Sequence, residues 1–180
     1  MKFRPFHPEL DATDCAILEL LQENCKQPLA AIGAKVGLSA PAVIERIHKL
    51  EEAGVILAYV ALVDAKRVGR DVTAFIGVSI DYPQGARSIE AEIVAIDDVL
   101  ECHHVTGQHA LLVKVKSRNT ESLEELIDRI RSLAGVMRTE TSVVLSTSAE
   151  RARVAIDPGE EDAPKPARRP GGQRSRRTVK

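Results

Sequence analysis

Aromatic side chains and long apolar runs are what this sequence most clearly lacks. Phe, Trp and Tyr make up 3% of its 180 residues and Trp is absent, which leaves too few flat rings for a surface that stacks single-stranded nucleic acid. No run approaches the roughly 18 apolar residues of a membrane span, and the opening MKFRPFHPEL has no apolar core of a signal peptide. We therefore expect a cytoplasmic protein that does not contact the membrane.

Cysteine is scarce as well. The three cysteines are an odd number and lack the paired spacing of metal ligands: Cys15, Cys25 and Cys102. This pattern suits a reducing compartment better than a disulfide framework. His103, His104 and His109 lie near Cys102 in the sequence, but neighbouring residues of a strand point to opposite faces. We therefore expect neither a metal site nor a cofactor.

Basic residues are scarce outside the C-terminus. The net charge of the chain is −1, yet residues 163–180 carry seven Lys or Arg and no acid, so residues 1–162 hold a net charge of −8. Residues 157–180 are rich in Pro, Gly and charge, and we expect them to form a disordered basic tail. Such a tail adds either sequence-independent attraction to DNA or solubility. Any nucleic-acid binding by the acidic remainder must come from a local motif.

A motif of this kind is present near the N-terminus. Apolar residues recur at helical spacing in three successive segments, 11–24, 28–37 and 39–54. Gly33 lets two helices cross closely, and Gly37 permits the left-handed turn that follows the second helix. This arrangement predicts a helix-turn-helix, although a plain helical hairpin used for packing remains an alternative.

The third helix is predicted to read double-stranded DNA. Its expected outward face consists of Ser39, Ala40, Ala42, Glu45, Arg46 and Lys49. Ser39 and the helix N-terminus can meet a phosphate, and Arg46 can reach a guanine or a phosphate. If Arg46 reads a base, Arg46→Ala weakens specific operator binding by ~1–3 kcal/mol. Alternatively, Arg46 pairs with an acid of the first helix.

From Val55 onward, the apolar period changes to the alternation that is typical of strands. Residues 56–62 predict a strand that links the two halves of the chain. The sequence after this strand predicts five further elements in order. They are a strand at 72–81, a helix at 88–96, a hairpin of 99–106 with 109–116, a helix capped at Asn119 or Thr120, and a strand at 136–147. Right-handed crossovers turn this βαββαβ order into a four-stranded antiparallel sheet with both helices on one face, the ferredoxin-like fold.

We therefore expect an α+β protein. It divides into a helix-turn-helix DNA-binding domain, a linker strand with a hinge, a ferredoxin-like effector and oligomerisation domain, and the tail: 1–54, 55–71, 72–156 and 157–180. Phe75 and its neighbours leave the second face of the sheet bare. Sheet-to-sheet dimerisation is the simplest way to bury that face.

Several ordered strings resemble the leucine-responsive regulator and asparagine-synthetase activator family (Lrp/AsnC). They are LDATDCAILELLQ, VGLS, RIHKLEEAGVI, ECHHVTG and TETSVVLS, which span about residues 10–148. The resemblance implies a winged-type helix-turn-helix joined by a strand to a ferredoxin-like effector domain. It also implies homodimers that often assemble into octamers or other higher rings, and an amino acid or related effector bound between effector domains.

The resemblance also points to effector-binding residues. In the family, the turn after the third strand of the effector domain commonly reads Gly, any residue, aromatic, Asp. Here it reads Gly107, Gln108, His109 and Ala110, so the carboxylate expected to meet an amino group is missing, and either the ligand differs or the pocket has lapsed. Thr139 and Thr141 match paired threonines that line the same pocket in relatives, although threonines also suit a strand for their β-propensity.

Two other functions fit parts of the pattern. Siroheme decarboxylases resemble this family in both domains and use His and Arg, which makes His103 and His104 relevant, but the sheet region offers few cations for tetrapyrrole carboxylates. A non-DNA-binding, amino-acid-sensing oligomer is favoured if Arg46 is buried. A regulator that is not an enzyme, modulated by a small molecule such as an amino acid, accounts for more of the chain.

Overall fold

The computed structural model describes residues 9–81 and 86–156. Within these ranges the chain forms two compact units, which consist of 9–60 with 151–156, and of 61–81 with 86–150. No helix in either range is long and apolar enough to cross a lipid bilayer. Residues 151–156, which the sequence grouped with the sheet, belong to the helical unit because the Gln22 side chain hydrogen-bonds to Val154.

Three helices build the first unit: α1 (Ala12–Glu23), α2 (Leu29–Val36) and α3 (Ala40–Glu52). Asp11 and Asp14 form a reciprocal capping box at the start of α1, which satisfies two backbone N–H groups that the helix leaves free. Gly37 ends α2 with a left-handed φ of 73°. Ser39 then caps α3 by accepting a hydrogen bond from the N–H of Ala42.

The three helices close around Ile17, Ile32, Val43 and Ile47. Gly33 is required at the crossing of α2 and α3, because a Cβ there would lie 2.3 Å from the carbonyl oxygen of Leu38. The predicted helix-turn-helix, with its close crossing and its left-handed turn, is confirmed.

The strand predicted over residues 56–62 is wrong for the single chain. Residues 55–65 form no ladder with any other described strand, and a 3-10 turn at Lys66–Val68 follows. A strand needs a neighbour for its backbone N–H and C=O groups, and this segment has none among the described residues of one protomer. Its apolar side chains, including Leu57 and Leu62, are consequently exposed to solvent.

The second unit is a four-stranded antiparallel sheet with two helices. The elements are β1 (Val72–Ile80), α4 (Ala86–Val94), β2 (Val99–His104), β3 (Leu111–Ser117), α5 (Thr120–Arg131) and β4 (Val136–Val143). The strand order is β2-β3-β1-β4 and each neighbouring pair is antiparallel. This is the predicted ferredoxin-like arrangement.

One face of the sheet holds the core. Ala74, Ile76 and Val78 of β1 alternate into it and pack with residues of both helices, including Ile93 and Ile130. The other residues of β1 point to the opposite side, which we call the open face and which carries Phe75, Gly77 and Ser79. The predicted division of β1 into two faces is confirmed.

β4 is shorter than the predicted span of 136–147. Its last residue, Val143, pairs with Ala74, and the N–H of Val144 still reaches the carbonyl of Thr73. Beyond that point β1 offers no further partner, because it begins at Val72. The chain continues to Glu150, whose carboxylate contacts two lysines of β3.

Candidate DNA-binding face and effector turn

Helix α3 presents one face outward from the helical unit. Val43, Ile47 and Leu50 turn its other face into the core. Among the residues that the sequence assigned to the reading face, three are exposed and three are half-buried: Ser39, Glu45 and Lys49, and Ala40, Ala42 and Arg46. The Lys49 Nζ lies 2.8 Å from the Glu45 Oε1 one turn earlier. An exposed, capped helix of 13 residues is the geometry that enters a major groove.

Arg46 turns back toward α1 instead of pointing straight outward. Its Nη1 donates to the Asp11 Oδ2 at 2.6 Å and to the Asp14 Oδ1 at 2.7 Å, and its side chain is 32% exposed. The hydrogen bond from Arg46, followed by that from the Asp14 N–H, lowers the pKa of the Asp11 carboxyl. The alternative in which Arg46 pairs with acids of the first helix is therefore the arrangement that the structure contains.

Three further residues of α3 belong to the outward face. Pro41, Ile44 and His48 are exposed; Pro41 and His48 lie opposite the buried stripe, and Ile44 lies at its edge. The sequence did not indicate that Ile44 is exposed, because an apolar residue next to Val43 is expected to be buried in the core. Its 41% exposure leaves a methyl-bearing side chain available for a thymine methyl group.

The effector turn, residues 105–110, connects β2 to β3 at one end of the sheet. The N–H of Val105 donates to the carbonyl of Ala110, and the N–H of Ala110 donates to the carbonyl of Val78. Gly107 has a φ of 122°, a conformation that side chains other than glycine rarely adopt. The turn borders an open depression of about 400 Å³, which Ser79, Ile80, His104, Val105 and residues 107–110 line.

His109 points from this turn onto the open face of the sheet. Its ring rests on Gly77, where a Cβ would lie 2.4 Å from the imidazole Cδ2. Its Nδ1 lies 3.3 Å from the Ser79 Oγ, which also donates to the carbonyl of Gln108, and its Nε2 lies 3.7 Å from the Glu140 Oε2. The imidazole is thus held between β1 and β4, and it fills the place that a missing side chain at residue 77 leaves.

Ala110 brings no polar group to the turn. It is half-buried and packs against the core of the sheet unit. The carboxylate that the family pattern has at this position is therefore replaced by a small apolar contact. Other groups must supply any contact with a ligand amine.

Thr139 and Thr141 lie on the side of the sheet opposite His109. They pair with Val78 and Ile76, and directly paired residues share a face, so both threonines belong to the helix side. The Thr139 Oγ1 accepts a hydrogen bond of 2.8 Å from the Arg131 Nε of α5. One chain therefore brings the four turn residues together but does not bring the two threonines to them.

The histidines and cysteine of β2 are separated as the alternation predicts. Cys102 and His104 pair with Val113 and Leu111 on the helix side, whereas His103 pairs with Leu112 on the open face. The His104 Nε2 lies 3.0 Å from the Glu90 Oε2. Within residues 9–81 and 86–156, no cluster of three His, Cys, Asp or Glu residues is placed to hold a metal ion.

Two family models match this chain, and together they cover both units. The model described as the AsnC-type helix-turn-helix domain matches residues 10–51. The model described as the Lrp/AsnC ligand binding domain matches residues 73–154. The first match ends in the last turn of α3, and the second begins at the second residue of β1 and continues past β4.

Known proteins with similar sequences and structures are transcriptional regulators. The HTH-type transcriptional regulator FL11 of Pyrococcus abyssi is 33% identical over 147 residues, which cover 82% of this chain and 97% of that protein. The structure of Escherichia coli AsnC has a TM-score of 0.75 at 30% identity and covers 80% of this chain and 97% of that one. The Neisseria meningitidis regulator NMB0573, in complex with L-Met, has a TM-score of 0.77 at 30% identity and covers 81% and 96%.

Proposed function

Because this chain belongs to the Lrp/AsnC family of DNA-binding transcriptional regulators, we propose that it reads an operator through α3 and that a small molecule bound to its sheet unit changes this activity. The observation that supports operator reading is the exposed outward face of α3. We assign operator contacts to Ser39, Ala40, Ala42, Glu45, Arg46 and Lys49, joined by Pro41, Ile44 and His48. As a protein that acts on chromosomal DNA, it works in the cytoplasm.

The DNA-binding part is tested by selecting duplexes from a random-sequence pool and measuring affinity for the enriched site over a range of salt concentrations. We expect one enriched motif with twofold symmetry. Lys49→Ala should weaken binding to all sequences about equally and lower the salt slope by about one. Lys66→Ala removes the same charge from the sheet unit and is the matched control. A pool that shows no enrichment would refute operator reading.

The effector is, in this proposal, an amino acid or a closely related metabolite. The NMB0573 relative was solved in complex with L-Met, and in this chain the effector turn borders an open depression. We assign ligand contacts to Gly107, Gln108, His109 and Ala110, and to Thr139 and Thr141. Since the threonines lie on the helix side of the sheet in one chain, the proposed site takes them from a second copy and lies between two sheet units.

A thermal-shift screen of the standard amino acids tests the effector proposal, because a ligand that binds only the folded state raises the melting temperature. At least one amino acid should stabilise the wild-type chain. His109→Ala and Thr141→Ala should each abolish that shift, whereas Ser142→Ala, the adjacent strand position, should retain it. A screen in which no amino acid raises the melting temperature contradicts the proposal and indicates that the pocket no longer binds an effector.

The assembly that we infer is a homodimer that associates further into an octamer or another higher oligomer. Its support is the apolar surface that one protomer leaves exposed along residues 55–65, together with Phe75 on the open face. Sedimentation at several protein concentrations measures the oligomer directly. A monomer at micromolar concentration would refute this assembly.

We further infer that the chain acts by binding and not by catalysis, since the family consists of transcription regulators. The siroheme decarboxylase alternative has a direct assay. Anaerobic incubation with siroheme should return the tetrapyrrole unchanged, and release of carbon dioxide would establish the enzyme instead.

A further inference from the structure

The end of the described chain returns to the first helix. The side-chain amide of Gln22 makes two hydrogen bonds with the backbone of Val154. The Val154 N–H donates to the Gln22 Oε1 at 2.8 Å, and the Gln22 Nε2 donates to the Val154 carbonyl at 3.1 Å. A primary amide has one donor group and one acceptor oriented like a peptide bond. Gln22 therefore binds residue 154 in the way that a neighbouring strand would.

An ion pair lies beside this double hydrogen bond. The Arg153 Nη1 is 3.4 Å from the Glu23 Oε1 of the same helix. Exposed pairs of this kind contribute little alone, but this one continues the contact from Val154 to the preceding residue. Gln22 and Glu23 together form what we call the Gln22 dock, and residues 151–156 occupy it.

The residues that follow this contact in the sequence are strongly basic. Residues 163–180 carry seven Lys or Arg and no acid, whereas residues 1–162 have a net charge of −8. The attraction of a tethered basic segment for DNA phosphates depends on its effective concentration near the DNA, which the point of attachment sets. The point from which residues 157–180 depart therefore determines how often those cations meet DNA held by α3.

We propose that the Gln22 dock holds residues 151–156 of the same chain and thereby anchors the basic tail on the DNA-binding unit, where its cations add to the attraction for double-stranded DNA. Without the dock, the last ion pairs along the described residues are those of Glu150 with Lys114 and Lys116 in the sheet unit. Releasing the dock then moves the tail's point of departure from the DNA-binding unit to the sheet unit. The proposal rests on DNA binding by this chain.

Docking is measured first, by hydrogen exchange of the Val154 amide in the full chain. The amide should be protected in the wild type and in Glu19→Ala, an exposed control residue one turn earlier on α1. Gln22→Ala should abolish protection, and Gln22→Glu, which keeps an acceptor but loses the donor, should reduce it partly. Equal exchange in all four proteins refutes the dock.

The identity of the occupant is tested by cross-linking. Cys25 is exposed and follows Gln22 by three residues, so a bis-maleimide should join it to a cysteine introduced as Ala155→Cys. A product with the mass of one chain supports docking within the chain. A product of two chains that requires the new cysteine shows that the segment comes from a second copy and overturns the proposal as stated.

The consequence for DNA is tested with four proteins: the wild type, Gln22→Ala, a chain truncated after Ile156, and the truncated chain with Gln22→Ala. Truncation should flatten the salt dependence, and Gln22→Ala should lower affinity at low salt by roughly threefold to tenfold, toward the truncated value. In the truncated chain Gln22→Ala should change nothing. Val154→Pro, which removes the backbone donor without altering α1, should reproduce Gln22→Ala.

Two results would overturn the anchor while leaving the proposed function intact. In the first, truncation leaves affinity and salt dependence unchanged, which makes the tail a solubility element. In the second, Gln22→Ala frees the Val154 amide but DNA affinity stays at the wild-type value. In both cases the truncated chain still selects its operator, so failure of the anchor is separate from failure of operator reading.

Discussion

At residue 109 an imidazole rests directly on the backbone of a glycine. Most side chains at residue 77 would exclude this arrangement, because the first carbon added there would overlap the ring of His109. The two positions are therefore coupled although Gly77 lies on β1 and His109 lies in the turn before β3. The ring of His109 is oriented by the space that the absent side chain of Gly77 leaves and by its contact with the Ser79 hydroxyl.

Gly77→Ala tests this coupling. The new methyl group should displace the ring and lower the free energy of unfolding by about 1–3 kcal/mol, the usual cost of overpacking. In the double variant Gly77→Ala/His109→Ala, most of that loss should disappear because the overlapping ring is gone. Urea unfolding of both single variants and the double variant gives the coupling energy, and strictly additive effects would contradict it.

Among the elements, α1 and α3 are joined by a small charge network. Asp11 and Asp14 each use one carboxylate oxygen for the capping box and the other for Arg46. The same two acids therefore start α1 and orient α3. The role proposed for Arg46 in DNA binding therefore includes positioning the helix that carries it.

Arg46→Ala should consequently weaken binding to the operator and to unrelated DNA alike, with a loss of about 1 kcal/mol in stability. Asp14→Asn separates positioning from direct contact. If Arg46 positions α3, this variant weakens DNA binding; if Arg46 contacts DNA directly, removal of a competing negative charge strengthens it. Titrations of both variants with operator and scrambled duplexes decide between the two, and a loss confined to the operator would make Arg46 a base-reading residue.

The same network predicts how stability depends on pH. Arg46 lowers the pKa of Asp11 in the folded chain, so the stabilisation is complete above the usual carboxyl pKa near 3.9 and is lost as the pH falls through the lower folded value. The wild type should therefore exceed Arg46→Ala in stability at pH 7 by more than at pH 3. Urea unfolding at both pH values measures this, and a constant difference would show that Asp11 does not contribute.

At the scale of the whole molecule, the open face of the sheet differs from a plain apolar surface. Phe75 and Leu112 are flanked by Lys114, whose side chain is 14% exposed and whose Nζ lies 2.9 Å from the Glu101 Oε1 and 2.5 Å from the Glu150 Oε1. Hydrogen bonds to Glu150 and then Glu101 raise the pKa of Lys114. The charge of Lys114 on this face is thus already paired, which lowers the cost of bringing a second sheet against it.

Phe75→Asp should disrupt an assembly built on this face, because it places an unpaired carboxylate where a second sheet would bury it. We expect the oligomer to dissociate at least tenfold more readily in sedimentation. Val94→Asp is the matched control, since Val94 is exposed on α4, on the other side of the sheet. If both variants assemble like the wild type, the interface lies elsewhere, and the exposed residues 55–65 become the next candidate.

The sequence by itself determined the fold class and the helices and strands of both units, apart from the strand predicted over residues 56–62. Asn119 accepts the capping hydrogen bond that its position predicted, and the alternation along β1 assigned its two faces correctly. These features depend on neighbours within a few residues, whose hydrogen bonds and periodicity can be read along one strand or helix. The family resemblance, which comes from the same ordered strings, is confirmed by both matching models.

Tertiary structure decided which partners each side chain has. Arg46 was compatible with a base contact or with an acid of α1, and only the packing of α3 against α1 brings Asp11 and Asp14 within 2.7 Å of it. Residues 56–62 alternate like a strand but pair with no strand in the part of the chain that the structure describes, whereas Gln22 contacts Val154, 132 residues further along. Sequence patterns record what a segment can do locally, whereas contacts between distant segments depend on the closure of the whole chain and, for the threonines of β4, on which face of the sheet the strand register gives them.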